Sequence, residues 1–444
     1  MPTETTDSLR QAGIRFVRVL WCDNANVIRG KAIHIQMLDE YRAHGLGLTP
    51  AQQGVPVMAD SVVTASGLGP VGDVRLMPDW DTLTPLPYAP GHARVMGDMT
   101  RDGRPWPPCP RSCLKRLIDE AKQDGLRIQA AFENEFYLLR PATGAVAPAD
   151  DTVFAATLAM DNALPVINDV VDSLLTQGIP VELYYPESGP GQHEISMRYA
   201  DALLTADRQI VFRETVHATA ARHGLKASFL PKIWTDQAGS GCHLHLSLWR
   251  QGRNITADPQ GAYQLSDTAR GFIGGILRHL PALMAVTTPS SNSYRRIRPH
   301  CWSGAYRCWG LDNREAAIRV PFNPAGPGPS NIELKTCDAS ANPYLALAAV
   351  LAVGLDGIRR QLDPGEPVQV DPGNWTADER KARHIDELPI TLGEAIGHCQ
   401  ENEVLRRAFG PDLFQAFLAV RQAEWNFFRE RQLADEVQVL LERY

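Results

Sequence analysis

Two glutamates separated by one residue lie within an otherwise apolar stretch, residues 128–139. The stretch is rich in Phe, Tyr and Leu, which is typical of a β-strand, and strand residues two apart point to the same face. Glu133 and Glu135 are therefore expected to lie side by side. Adjacent buried carboxylates repel each other and lose hydration unless a cation neutralises them, as a hard divalent metal does. The alternative is the exposed face of an amphipathic strand.

Three later segments carry further side chains that can bind a metal or a polar ligand. A glycine-rich bend at 186–194 contributes two carboxylates, a strand-like segment at 240–247 contributes two imidazoles and a hydroxyl, and an alternating segment at 331–335 contributes a fifth glutamate. The side chains concerned are Glu187, Glu194, His243, His245, Ser247 and Glu333. Five glutamates and one histidine are the donor set of two oxygen-rich divalent sites with one nitrogen ligand, which favours Mg²⁺ or Mn²⁺.

The order of these segments resembles that of the glutamine synthetase family. The family pattern is E-x-E on a strand, a Glu with G-Q-x-E, G-S-G-x-H-x-H-x-S, N-R-x-x-x-x-R-x-P, and I-E with a downstream D-x-x-A-N-P-Y. All of these motifs occur in this order between about residues 130 and 345. Each motif alone would be weak, whereas the complete ordered set is specific.

The resemblance implies an α+β fold in two domains. A small N-terminal β-grasp domain is expected over residues 1–103, and a C-terminal catalytic α/β domain, an open barrel of antiparallel strands with outer helices, over residues 104–444. The proline-rich segment 104–110 interrupts regular structure at this boundary. The local sequence predicts a strand, turn and strand over residues 16–33 and a helix over about 111–124.

The resemblance also implies a role for each acidic residue. Three carboxylates would hold the metal nearer glutamate, namely Glu135, Glu187 and Glu194. Two carboxylates and an imidazole would hold the metal that bridges the phosphates of ATP, namely Glu133, His243 and Glu333. In the implied ligation, the γ-carboxylate of L-glutamate attacks ATP to form γ-glutamyl phosphate, and an amine then displaces phosphate.

The remaining site residues are assigned by the same motif matching. Arg296 would bind the substrate carboxylate beside Gly239, Lys335 and Glu135. The ATP side would be formed by His245, Ser247, Arg314 and Arg319. Arg296 and Arg314 are expected to act in catalysis as well, since a guanidinium carries a fixed charge and a fork of donors that suits carboxylate and phosphoryl oxygens. A surface ion pair is the alternative for any arginine, and a core position is the alternative for His245.

The chain departs from the family pattern at four positions. In ammonia-using members an Asn helps to hold the α-amino end of glutamate where this chain has Ala238, and arginines flank I-E where it has Asn331 and Lys335. The loop 298–304 normally carries a glutamate that takes a proton from ammonium, and Trp302 falls at that position. An indole cannot act as a base, but it offers an apolar wall and a cation-π face to an alkylammonium.

Trp302 therefore favours a small primary amine, methylamine above all, over ammonia as the acceptor. The alternatives are a glutamine synthetase that uses ammonia, a γ-glutamyl ligase for ethanolamine or polyamines, and an inactive structural or regulatory relative. Polyamines would need a longer and more acidic acceptor channel. If Trp302 only packs the loop, another carboxylate must do the proton work, and Asp60 is the candidate. It roughly matches an aspartate that the neighbouring subunit contributes in the family.

The bulk properties of the 444-residue chain limit its partners. With 44% hydrophobic residues it can form a large core and more than one domain. The sequence has no membrane-length apolar run and no signal-peptide pattern at its N-terminus, so we expect a cytoplasmic protein. A formal net charge of -7 without a long basic run argues against nucleic acid.

The resemblance implies two further properties of the whole molecule. One is a homo-oligomer, most simply a dodecamer of two hexameric rings. The other is the absence of control by adenylylation, because bacterial ammonia-using members carry the modified tyrosine well after N-P-Y. Between Tyr344 and Tyr444 this chain has no tyrosine.

Overall fold

The computed structural model describes residues 6–142, 145–323, 325–326 and 328–444. The strands of one sheet are β1 (Phe16–Cys22), β2 (Ile28–His34), β3 (Leu46–Leu48), β4 (Val74–Pro85), β5 (His92–Arg101) and β6 (Arg104–Pro105). The strands of a second sheet are β7 (Arg127–Ala142), β8 (Ala145–Pro148), β9 (Val181–Pro186), β10 (Gln192–Met197), β11 (Ala200–Asp201), β12 (Lys226–Ser228), β13 (Cys242–Arg250), β14 (Arg253–Asn254), β15 (Tyr306–Leu311), β16 (Ala316–Val320) and β17 (Ile332–Leu334).

Helices cover these sheets. They are α1 (Thr6–Gln11), α2 (Leu38–His44), α3 (Pro110–Gln123), α4 (Thr157–Thr176), α5 (Ala202–Arg222), α6 (Asp267–Thr287), α7 (Ser293–Arg296), α8 (Pro343–Arg359), α9 (Ala377–Ala382), α10 (Leu392–Gln400), α11 (Glu403–Phe409), α12 (Pro411–Phe428) and α13 (Leu433–Leu440). Short 3-10 turns link several of them. None of the helices in the described part of the chain has the length and apolarity to cross a membrane.

The N-terminal sheet has the strand order β2-β1-β5-β4-β3, with β6 paired to β5. β1 runs parallel to β5, whereas the pairs β1-β2, β3-β4 and β4-β5 are antiparallel. Val17 and Val19 of β1 are fully buried in a core that belongs to this sheet and its helices. A mixed sheet with a helix between its second and third strands agrees with the predicted β-grasp fold. The predicted strand, turn and strand correspond to β1 and β2.

The second sheet has the strand order β15-β16-β17-β13-β7-β10-β9. The 16-residue strand β7 is its centre and also pairs with β8, β11 and β12. Phe132, Phe136 and Leu138 of β7 alternate into a large core formed with the helices, so the opposite face of the strand is left for polar side chains. The α+β fold with a barrel-like sheet and outer helices is confirmed.

One pair of strands differs from the antiparallel barrel that the resemblance implies. β15 and β16 are consecutive in the chain, yet they pair in parallel. The turn at 312–315, where Asp312 has a φ of 49°, returns the chain to the level at which β15 starts. A two-residue hairpin would have made the pair antiparallel.

Helix α3 joins the two sheets. It begins at Pro110, a residue that suits the first turn because it needs no amide donor there, and the predicted helix at this place is confirmed. Arg111 of α3 forms ion pairs with Asp79 of β4, Asp98 of β5 and Asp207 of α5. A domain boundary between residues 103 and 104 stays a prediction.

Candidate active site

The polar face of β7 collects acidic side chains from three strands. Glu133 and Glu135 point to the same side, as their spacing predicts. In the antiparallel register, His243 of β13 lies opposite Glu133, and Glu194 of β10 lies opposite Glu135. Glu187 comes from the bend that joins β9 to β10, directly after Pro186. We call these five residues with Glu333 and His245 the acidic cluster.

Both imidazoles of the acidic cluster contact its carboxylates. His243 Nδ1 lies 3.2 Å from Glu133 Oε2 and 3.3 Å from Glu333 Oε1, and its Nε2 lies 4.0 Å from Glu135 Oε1. His245 Nε2 lies 3.5 Å from Glu133 Oε1. One possible metal-ligand set is formed by atoms of Glu133, His245 and Glu333, which all lie within 4.8 Å of one another. His245, which the motif matching places on the ATP side, thus also reaches the cluster.

The two imidazoles differ in their charge. Burial and the nearby Lys335 lower the pKa of His243 to about 4. Burial would also lower the pKa of His245, but its hydrogen bond to Glu133 and the charge of that carboxylate raise the pKa to about 9. A neutral imidazole can give a lone pair to a metal, whereas an imidazolium cannot. The metal-ligand role therefore fits His243 better, and an ion pair with Glu133 fits His245.

Repulsion between buried carboxylates is concentrated in one part of the cluster. This part is formed by Glu135, Glu187 and Glu194. Burial and the charge of Glu187 raise the pKa of Glu135 to about 7. Burial and the charges of Glu133 and Glu135 raise the pKa of Glu194 to about 9. Burial also raises the pKa of Glu187. Carboxylates that are buried together ionise only when a cation compensates them, so this group fits a divalent metal.

Glu333 is balanced by cations of the protein itself. It is 1% exposed. Arg319 Nη1 lies 2.9 Å from its Oε2, and Lys335 Nζ lies 3.3 Å from its Oε1. Burial raises the pKa of Glu333, but the charges of Lys335 and His245 outweigh burial and bring it to about 2. Lys335 thus keeps the positive charge where the family has an arginine, with a single contact in place of a fork.

The glycines of the 239–241 segment bring Arg296 close to the cluster. A Cβ at Gly239 would lie 2.6 Å from Arg296 Cγ, and a Cβ at Gly241 would lie 2.8 Å from His243 Nε2 and 3.2 Å from Arg296 Nη1. The Gly241 amide donates to Glu135 Oε2 at 2.8 Å. Arg296 is 6% exposed, and its Nη2 donates to the backbone oxygen of Cys337 at 3.0 Å. Its guanidinium is therefore held in place and can bind a carboxylate.

A cavity of about 420 Å³ opens beside the acidic cluster and is lined by both Glu133 and His245. Ser247 of β13 lies in its wall and accepts a hydrogen bond from Trp249 Nε1 at 2.8 Å. The rings of Trp249 and Tyr199 lie 6.4 Å apart at the same cavity. Two aromatic faces beside the acidic cluster suit the base of a nucleotide. Sequence reasoning missed both rings, although Trp249 shares a strand face with His245 and Ser247.

Asn331 stands where the family resemblance implies an arginine, and it contacts an imidazole of the acidic cluster. Its side-chain oxygen accepts a hydrogen bond from His245 Nδ1 at 2.9 Å, and the residue lines the cavity. The amide thereby fixes the imidazole that contacts Glu133. The contact orients the ring that motif matching places on the ATP side, without adding the charge that an arginine would bring.

The loop 298–304, which we call the flap, follows α7, the helix that carries Arg296. Trp302 has a φ of 53° and an indole that is 58% exposed, so its side chain does not pack in the core of this chain. Its amide donates to Glu315 Oε1 at 2.8 Å. Within the flap, the Ser303 hydroxyl accepts a hydrogen bond from the Arg298 amide. His300 Nδ1 lies 2.7 Å from Asp371 Oδ2. Sequence reasoning missed Glu315, because nothing in the N-R-x-x-x-x-R motif marks its third residue.

Two predicted residues lie apart from the cluster. Asp60 and Arg314 are exposed. Among the described residues, no hydrogen bond or ion pair joins either side chain to the cluster. The other predicted residues are brought together around β7, β13 and β17 or lie on the flap.

Two family models match nearly the whole chain. The model described as the catalytic domain of glutamine synthetase matches residues 107–440, and the model of the glutamine synthetase N-terminal domain matches residues 4–106. A solved GmaS/ADP complex superimposes with a TM-score of 0.87 at 30% identity, covering 99% of this chain and 100% of the other. GmaS is a gamma-glutamylmethylamide synthetase.

Curated relatives are similar over most of their length. The gamma-glutamylpolyamine synthetase GlnA3 of Streptomyces coelicolor is 37% identical over 95% of this chain and 92% of its own. A glutamine synthetase of Thermus thermophilus is 40% identical over 80% of this chain and 82% of its own. With both domains matched and the ordered motifs assembled around one sheet face, the chain belongs to the glutamine synthetase family of ATP-dependent ligases.

Proposed function

We propose that this protein joins the γ-carboxylate of L-glutamate to a small primary amine, with methylamine favoured, and releases ADP and phosphate. The observation that carries the proposal is the exposed indole of Trp302 on a flap where ammonia-using relatives have a carboxylate. An indole binds an alkylammonium through its face and its apolar area, whereas ammonium has no carbon and lacks the apolar contact. The GmaS neighbour supports this choice, since its fold matches over the full chain.

The acidic cluster would hold two divalent cations, Mg²⁺ or Mn²⁺. Glu135, Glu187 and Glu194 would take one, and Glu133, His243 and Glu333 would take the other. When bound, they supply positive charge to the transferring phosphoryl group. The buried, repelling carboxylates fit this role because they need a cation to be ionised together.

The remaining work falls to cationic side chains and to the aromatic cavity. Arg296 would bind the carboxylate of glutamate so that its γ-carboxylate faces ATP. Arg319, which is anchored on Glu333, would offset charge on the phosphates, and Arg314 would join it from the surface. Tyr199 and Trp249 would hold the nucleotide base. Attack by the γ-carboxylate then forms γ-glutamyl phosphate, and the amine displaces phosphate.

A polyamine is the second candidate acceptor, and one cavity favours it. A space of about 870 Å³ is lined by Asp150, Asp151 and Asp236, together with Trp234. Gln237 and Pro190 also line it, and they stand two or three residues from Gly239 and Glu187 in the chain. Carboxylates and an indole would suit the distal ammonium of a long diamine. The polyamine synthetase relative supports this alternative.

The test is phosphate release from ATP and glutamate with one acceptor at a time. Ammonia, methylamine, ethylamine, ethanolamine and putrescine would be compared at several concentrations, because kcat/KM reports discrimination directly. We expect methylamine to have the highest kcat/KM. A higher value for putrescine would select the polyamine alternative. A higher value for ammonia would overturn the proposal in favour of glutamine synthesis.

A further inference from the structure

Glu315 is a buried carboxylate that no sequence motif assigns. It precedes β16 and is 8% exposed. It lies in the turn that leads into β16, and Arg319 of that strand reaches the acidic cluster. Glu315 is thus placed where the flap contacts the strand that leads to the cluster.

The two oxygens of Glu315 are in different situations. Oε1 accepts the Trp302 amide at 2.8 Å. Oε2 is buried and has no hydrogen-bond partner among the described residues. No ion pair within the described chain joins Glu315 to a lysine or arginine, and burial raises its pKa. A buried carboxylate oxygen without a donor destabilises the protein, so a partner is expected from outside the chain.

The flap backbone contacts both this carboxylate and the strand that follows it. A Cβ at Gly304 would lie 2.7 Å from the Cα of Ala317, so the flap backbone touches β16 one pleat beyond Glu315. Trp302 and Glu315 are therefore held by one hydrogen bond at the place where the flap meets the sheet. The surrounding titratable groups are His300 and Asp371, which pair with each other, and Lys335, which contacts Glu333.

We propose that Glu315 Oε2 and the Trp302 indole together form the binding site for the ammonium group of the acceptor. The carboxylate provides the negative charge, and the indole provides the apolar and cation-π surface for the attached alkyl group. The inference rests on the proposed amine ligase function. It restores, from the turn that precedes β16, the carboxylate that is missing at position 302.

The test compares Glu315→Gln with wild type, using methylamine and hydroxylamine as acceptors. Glutamine keeps the volume and an oxygen for the Trp302 amide but lacks the charge. Methylamine is a cation near neutral pH, whereas hydroxylamine is largely uncharged and needs no carboxylate to bind. We expect the KM for methylamine to rise roughly tenfold or more, the scale of losing a charged hydrogen bond. γ-Glutamyl hydroxamate formation and the KM values for ATP and glutamate should change little.

Two variants serve as controls. Asp371→Asn alters the other carboxylate that holds the flap, and we expect it to leave the methylamine KM near that of wild type. Glu315→Asp keeps the charge, and we expect it to recover part of the affinity that Gln loses. Thermal unfolding of each variant would identify misfolded protein. If a variant is partly misfolded, the methylamine KM values of Glu315→Asp and Glu315→Gln are compared at equal folded fraction, and that comparison decides whether the charge matters.

The outcomes separate this inference from the proposed function. If wild type makes no γ-glutamyl hydroxamate from ATP, glutamate and hydroxylamine, the ligase function itself fails. If wild type is active but Glu315→Gln keeps the wild-type KM for methylamine, only the Glu315 site is overturned. An equal loss with both acceptors would also overturn it, since that result indicates a structural role for Glu315.

Discussion

At the scale of single residues, the site depends on carboxylates that repel one another. Glu135 and Glu194 lie opposite each other in the strand register, and burial together with the charges of neighbouring carboxylates raises the pKa of both. Glu333, in contrast, has Arg319 and Lys335. The same face therefore contains a group that needs an external cation and a group that the protein has already neutralised.

Removing a carboxylate from either group should abolish catalysis without unfolding the protein. We expect Glu135→Ala and Glu333→Ala to lose ligase turnover, because each removes a proposed metal ligand. Wild type should also gain thermal stability when Mg²⁺ or Mn²⁺ is added, and both variants should gain less. Differential scanning fluorimetry and a phosphate-release assay measure the two effects.

The exposed Glu401→Ala is the matched control for these variants. It lies at the end of α10, and we expect both turnover and the metal-induced stabilisation to stay near the wild-type values. Wild-type turnover in either cluster variant would rule out the metal assignment.

The choice of amine should depend on Trp302. Truncation to Ala would lose about 1 to 2 kcal/mol of selectivity for methylamine, the scale of a buried methyl group with a cation-π contact. Ammonia should suffer less because it has no carbon to contact the ring. Trp302→Glu should move the preference toward ammonia by placing an anion where ammonia-using relatives have one.

The measurement is the ratio of kcat/KM for methylamine to that for ammonia in wild type and both variants. An unchanged ratio in all three proteins would mean that the indole only shapes the flap, and methylamine would lose its main support.

At the scale of elements, strand β7 organises the site and helix α3 holds the sheets together. β7 takes β13 on one side and β10 on the other, so residues distant in sequence meet on one face. Arg111 of α3 is 3% exposed and is paired to three aspartates from both sheet regions. Its charge balances carboxylates that would otherwise repel each other in a poorly hydrated place.

Arg111→Met should therefore destabilise the fold strongly. Removing one partner of a buried ion pair leaves uncompensated charge, and the expected loss is about 3 to 5 kcal/mol in the free energy of unfolding. Lys122→Met on the same helix is the control. Its pair with Asp119 is exposed, and such pairs contribute about 0 to 1 kcal/mol. Urea unfolding followed by circular dichroism compares them, and equal midpoints would contradict the role given to Arg111.

At the scale of the whole molecule, Asp60 raises the question of assembly. It is exposed and, within the described chain, makes no contact with the acidic cluster. Its loop is nevertheless fixed, because buried Glu424 accepts the Val57 amide at 2.8 Å. A held loop that presents a carboxylate away from its own site is what a neighbouring subunit could use, as the family resemblance implies.

We therefore expect a ring oligomer, most simply a dodecamer, in which Asp60 acts in the next subunit's site. Light scattering gives the mass, and a fully active monomer would contradict the expectation. A sharper test is to co-express Asp60→Asn with Glu135→Ala. Each variant alone should be inactive or nearly so. Mixed rings should regain activity, because some sites combine an intact Asp60 with an intact Glu135.

The sequence alone predicts the family, the fold class and several local features of this protein. The spacing of Glu133 and Glu135 predicted a shared strand face, and the ordered motifs predicted the family, the α+β fold and helix α3. These features are local or are specific combinations of residue types, so they can be predicted without knowing the tertiary contacts.

The tertiary structure decided which distant residues meet. The pairing of β7 with β13 brings His245 to Glu133, and the parallel pairing of β16 places Glu315 beneath the flap. Tyr199 and Trp249 became one cavity wall in the same way. Strand register and burial arise from long-range packing, and they determine whether a glutamate is a solvated charge or a buried carboxylate that needs a partner.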